Sequence, residues 1–81
     1  MSISNNENTE QMSILYNKVA LAEKLDDLRH EKGLSLSKLS SEIETKTGVS
    51  ISATQLGKYE NPQTTDIIGL NNLLALAYYY D

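Results

Sequence analysis

The sequence predicts an all-α protein, a compact bundle of four to five helices. Three observations lead there. Apolar residues recur at spacings of three and four, as in Leu36, Leu39 and Ile43, which is the period of one helical face. No stretch of apolar–polar alternation, the mark of a half-buried strand, stands out. Turn-formers are few, with 4 Gly and 1 Pro in 81 residues. A chain of this length suits one small domain whose core stabilises it only modestly.

Residues 1–12, MSISNNENTEQM, are polar and lack apolar periodicity. They read as a flexible N-terminal tail ahead of a domain spanning 13–81. The first helix is expected over about 17–32, with Ser13 as a rival start. Ile14, Leu21, Leu25 and Leu28 make its apolar stripe, and Val19 and Ala22 widen it. Glu23, Lys24, Asp26, Asp27, Arg29 and Glu31 are expected to face water. His30, near the C-terminal end, favours the helix dipole when protonated and reads as a surface residue. Gly33 takes the left-handed stop that only glycine adopts without strain.

The second helix is expected over 36–47. Ser35 caps it, Leu36, Leu39 and Ile43 share a face, and Glu42 and Lys46 stand four apart in the favourable order. Gly48 ends the helix, and Val49 is the apolar residue of the following turn. A third helix is expected over 53–60, because Ser52 followed by Gln55 matches a capping box; Ser50 is the rival cap. Leu56 and Tyr59 point inward, and Asn61-Pro62 closes the helix. The fourth helix is expected over 65–79, capped by Thr64 or Thr65, with Asp66 near its positive end. It carries two stripes: Ile67, Leu70, Leu74 and Ala77, and Ile68, Leu73, Leu76 and Tyr80. One suffices for the core. The second, Ile68, Leu73, Leu76 and Tyr80, is expected to be deeply buried or to be the face for a partner or an oligomer.

Residues 35–61 thus hold two short amphipathic helices, a turn, and polar side chains at the start of the second helix. That is the layout of a helix-turn-helix, which seats its second helix in the DNA major groove. The run from Leu21 to Tyr78 resembles the Cro/CI-type (XRE-type) family of phage and bacterial repressors. The resemblance rests on Leu25, Leu28 and Arg29, then Gly33-Leu34-Ser35, Leu39, Gly48-Val49-Ser50, and Leu56-Gly57-Lys58-Tyr59-Glu60-Asn61. A few extra residues between Ile43 and Leu56 lengthen the first motif helix and loosen the turn. In this the chain resembles the N-terminal DNA-binding domain of CI-type repressors from temperate phages of Gram-positive hosts. Leu36 and Ala53 stand where the family often has Gln.

The resemblance implies a lambda-repressor-like fold and a transcriptional repressor of lysogeny acting on operator half-sites in the cytoplasm of a bacterial host. It also implies a further apolar helix after the fourth. On that reading the chain is the N-terminal part of a longer protein, which self-associates through a region absent from these residues; the alternative is a natural short protein that buries the second stripe in a partner.

On such a domain Ala53, Thr54 and Gln55 would enter the groove and meet base edges. Gln pairs bidentately with adenine, and the methyl of Thr or Ala packs on that of thymine. For Gln55 the bland alternative, its amide spent on the capping box, is about as good; Thr54 has no such duty. Phosphate contacts fall to Ser37 and Lys38 at the start of one helix, and to Ser52, Lys58, Tyr59, Asn61 and Gln63 around the other. Competing roles are capping for Ser52, core for Tyr59, a solvated cation for Lys58 and a helix-ending conformation for Asn61. Gly57 inside a helix costs about 1 kcal/mol against alanine, so DNA or a packed helix is expected to approach it closely.

The net charge of −4 weighs against tight DNA binding, which leans on Lys and Arg. Over residues 33–64, however, Lys38, Lys46 and Lys58 balance Glu42, Glu44 and Glu60, so the DNA-facing region is neutral on an acidic body. An enzyme is not expected. One His, no Cys and no converging carboxylates leave no acid–base or nucleophile constellation, and no cofactor or metal motif occurs. The absence of cysteine fits a reducing compartment. The alternative function is a protein-interaction module of the same fold, an antirepressor, antitoxin or adaptor, docking through its last helix. The partners expected are double-stranded operator DNA and an antirepressor protein, with no membrane.

Overall fold

The computed structural model describes residues 18–81. The expected tail 1–12, the start of the first helix and Ile14 lie outside the described residues. Four helices follow one another: α1 over 18–31, α2 Leu36–Thr47, α3 Ala53–Tyr59 and α4 Leu70–Tyr80. No strand occurs among the described residues.

Local chemistry explains the first three boundaries. Gly33 sits at φ 68° and lets α1 turn into α2. Ser35 Oγ accepts the Lys38 N–H to cap α2, and Gly48 closes that helix in the left-handed region at φ 77°. Ser52, rather than Ser50, caps α3 by accepting the Gln55 N–H. The Gln55 side chain returns no bond to Ser52 among the described residues, so the box closes on one side only.

The helices meet over one core. α2 packs on both α3 and α4. Leu39, Ile43 and Leu56 are fully buried at its centre, joined by Leu25, Ile51, Tyr59, Ala75, Leu76 and Tyr79. Each large apolar side chain so buried contributes about 2 kcal/mol. Ile51 in the α2–α3 connection is as buried as the helical leucines. It belongs to no periodic run, and sequence reasoning passed over it.

The fourth helix begins five residues later than expected, at Leu70 instead of 65. Thr64 does not cap it. Its Oγ1 accepts the Asp66 N–H locally, the side chain–backbone bond that competes with helix formation. Lys18 Nζ holds the Thr64 carbonyl at 2.7 Å. Residues 64–69 therefore stay non-helical, and Gly69 precedes α4 without a side-chain cap.

The buried face of α4 also differs from expectation. Leu76 is in the core, Ile68 and Tyr80 pack against it, and Leu73 is half-buried. That stripe is accordingly not an open partner or oligomer face. Ile67, Leu70, Leu74 and Ala77 are exposed instead, along with Tyr78. The reason is that α4 is apolar all round, so periodicity alone does not orient it. Contacts from α2 do: Tyr79 donates its hydroxyl to Glu42, and Lys46 donates to the Tyr79 carbonyl at 3.1 Å. Glu42 and Lys46 both spend themselves on Tyr79, and the expected ion pair between them is not made.

Candidate nucleic-acid interface

The connection from α2 to α3 sets the direction in which α3 presents its first turn. Three hydrogen bonds hold it. The Gly48 N–H reaches the Glu44 carbonyl at 2.8 Å, the Val49 N–H reaches Thr47 Oγ1 at 3.1 Å, and Ser40 Oγ donates to the Ile51 carbonyl at 2.6 Å. With Ile51 buried beside them, the turn is pinned rather than loose. The extra residues expected to slacken it are absorbed into a three-turn α2 (12 residues) and a tied connection.

On that support, Ser52 and Thr54 are exposed, and Ala53 and Gln55 are half-buried. The Ser52 hydroxyl already serves as cap. Neither the Thr54 hydroxyl nor the Gln55 amide makes a hydrogen bond among the described residues, which leaves their donors and acceptors to solvent or a ligand.

The N-terminus of α2 meets the middle of α3. A Cβ on Gly57 would lie 3.4 Å from Leu36 Cδ1, an ordinary packing distance, so a helix does approach Gly57 and that neighbour is α2. Ser37 and Lys38, next to Leu36, are exposed. The first N–H groups of a helix lack intrahelical partners and favour anions.

Beyond α3 the expected phosphate contacts divide. Lys58 is exposed, and its Nζ stands 3.7 Å from Asp66 Oδ2, a loose surface pair worth well under about 1 kcal/mol. Asn61 and Gln63 are exposed. Asn61 Oδ1 accepts the Gln63 N–H at 3.0 Å, which shapes the loop and leaves the Asn61 amide NH₂ outward. Asn61 is not in the left-handed conformation; only Gly33 and Gly48 have positive φ among the described residues. Tyr59 departs from the expected contact set. It is 5 % exposed, and its hydroxyl accepts from Asn72 Nδ2 of α4 at 2.9 Å, so it is a strut of the core.

The electrostatics turn on a pair that sequence reasoning misplaced. Arg29, expected to face water, lies with its side chain largely buried against Glu60. It also donates to the Leu34 carbonyl at 2.8 Å and stands 3.4 Å from Asp26. Burial pushes the Glu60 carboxyl up from its ordinary value and the Arg29 bond pulls it back, with the balance upward. The Arg29 guanidinium is raised, chiefly by its hydrogen bond to Glu60. Glu60, which follows Lys58 and Tyr59 in sequence, is thus folded inward and paired with Arg29.

Asn72, Ser40 and Arg29 were not singled out from sequence for these roles. Each acts across the fold on a residue that no local pattern links to it. Among the described residues no group of His, Cys, Asp and Glu is placed to hold a metal, and no helix is long and apolar enough to cross a membrane. In comparisons with known proteins, no family model matches the chain, and neither a curated protein nor a solved structure matches it.

Proposed function

We propose that the chain is a sequence-specific DNA-binding domain of a transcriptional repressor, in which α2 and α3 act as a helix-turn-helix. The observation that carries this reading is the first turn of α3. It is capped by Ser52 and held by a pinned connection, and it presents Thr54 and Gln55 with no intramolecular duty. Thr54 and Gln55, with the methyl of Ala53, read base edges. Lys38 and Lys58 supply the charge, and Ser37, Asn61 and Gln63 add neutral phosphate contacts. The pattern of residues resembles CI-type phage repressors, which makes a lysogeny operator the natural target. With so few cations, one copy binds weakly.

The test is a salt titration of binding to the regulatory DNA beside the gene, against a scrambled duplex. A preference for the regulatory duplex is expected, with affinity falling as salt rises along a shallow slope of roughly −2, as two neutralised phosphates would give. Lys58→Ala should weaken both duplexes and flatten the slope by about 1, whereas Gln55→Ala should narrow the preference. Indifference to sequence at low salt sinks the reading. A second reading, a protein-docking module, is favoured by the exposed apolar residues of α4. It predicts that Lys58→Ala and Asn61→Ala leave its binding untouched.

A further inference from the structure

A groove of about 410 Å³ lies where α1, the end of α3, the connection 61–68 and α4 come together. Leu21 and Ala22 of α1, Ile68, Leu73 and Tyr59 give it apolar walls. Its polar groups are tied to one another along one edge. Lys18 Nζ donates to the Thr64 carbonyl at 2.7 Å, and Thr64 Oγ1 accepts the Asp66 N–H. A concave, mostly apolar space with a few gathered polar groups is the make-up of a small-molecule site, and such sites run from about 300 to 1,000 Å³.

The two charges on the polar edge differ in their circumstances. Asp66 already has a cation, Lys58 at 3.7 Å. Lys18 pairs with no carboxylate among the described residues. Its ammonium has three donors and spends one on Thr64, and the side chain is half-buried beside the apolar wall. The uncompensated charge of the lining is therefore positive.

We infer that the groove binds a small aliphatic carboxylate, with its anionic head on Lys18 and its apolar body against Leu21, Ile68 and Leu73. The free donors of Lys18 select the head, since a carboxylate accepts charge-assisted bonds from an ammonium. The walls select the body, because its apolar surface leaves water on binding. Asn61 also lines the groove, so on the operator reading the occupant sits beside a proposed phosphate contact. The binding itself does not depend on that reading.

The probe is sodium octanoate, titrated below its micellar concentration into the whole chain without DNA and followed by methyl NMR. Octanol and octylamine are the neutral and cationic controls. Saturable shifts are expected at the Leu21, Ile68 and Leu73 methyls, with octanoate bound about ten-fold more tightly than octanol, the lower end for a hydrogen bond to a charged group. Lys18→Met should abolish that preference while octanol still binds. Asp66→Asn, which removes the acid from the lining, should tighten octanoate. Leu73→Trp should fill the groove and weaken both probes, with circular dichroism confirming the helices; Lys18→Met decides alone if that variant does not fold. Absence of saturable octanoate binding overturns the inference, whatever else fills the groove. So does octylamine binding as tightly as octanoate. Shifts centred on the Leu70 and Leu74 methyls would also overturn it, because with Tyr78 they form the exposed, charge-free row of α4, which takes up any octyl chain regardless of its head. With no DNA present, none of these outcomes bears on the operator reading.

Discussion

Arg29 and Glu60 are 31 residues apart in sequence and joined in the fold, with Arg29 Nε donating to both Glu60 carboxylate oxygens at 3.0 and 2.9 Å. The contact ties the last turn of α1 to the residue that ends α3. It therefore holds the far end of the helix whose near end is proposed to meet DNA.

Breaking that contact should cost more than an ordinary surface ion pair, because either partner alone is left partly buried and charged. Arg29→Ala and Glu60→Gln are each expected to lower stability by about 2 kcal/mol, measured by urea unfolding. Arg29→Lys should not restore it, since the forked guanidinium also serves the Leu34 carbonyl and an ammonium has no such fork. In the double variant the losses should fall short of additivity; additivity within about 0.5 kcal/mol would mean the two side chains are not coupled.

Tyr79 and Tyr80 are sequence neighbours with opposite circumstances. The Tyr79 hydroxyl donates to Glu42, whereas the Tyr80 hydroxyl is buried with no hydrogen-bond partner among the described residues. Tyr79→Phe should therefore cost about 1 kcal/mol, and Tyr80→Phe should be neutral or stabilising by up to about 1 kcal/mol, because an unsatisfied buried hydroxyl is removed. Thermal unfolding of the two variants decides it; a clear loss for Tyr80→Phe would count against the orphaned hydroxyl.

The same two residues set the alkaline limit. Burial and the Glu42 bond push Tyr79 up to about 12, and burial and the nearby Glu60 charge push Tyr80 up to about 12. Both ionise later in the fold than in the unfolded chain, where tyrosine titrates near 10. Between those values the folded state holds more protons than the unfolded one. Their contribution to stability is complete below pH ~10 and is lost as pH rises through about 12. Phenolate absorbance should show part of the tyrosine titration delayed in native protein, a lag that urea abolishes. A native titration that coincides with the one in urea would refute it.

How much of this could be read from the residues differs along the chain. The bounds of α2 and α3 were legible because their stops and starts are local chemistry: Ser35, Gly48 and Ser52 act on N–H groups within three residues or on their own φ. The start of α4 was not, because Thr64, Thr65 and Asp66 suit a helix cap and a local turn equally, and Lys18 from α1 favours the turn. The face of α4 was hidden for a different reason. Its leucines and tyrosines surround the helix, and Glu42 and Lys46 of α2 choose which of them turn inward. Of the proposed DNA contacts, the exposure of Thr54 and Lys58 follows from their helix positions, and that of Asn61 from its place in the loop beyond α3. The withdrawal of Tyr59 depends on Asn72, which no spacing rule connects to it.

The charge-free stretch of α4 has a practical consequence for handling the molecule. Toward the isoelectric point near pH 4.8, carboxylates on the rest of the chain gain protons and the long-range repulsion between molecules fades. Leu70, Leu74 and Tyr78 are unaltered by that titration. The solubility minimum is thus reached by silencing the rest of the surface around a row that holds no carboxylate. A single Glu or Lys written into that row would raise solubility at the minimum more than the same charge placed elsewhere.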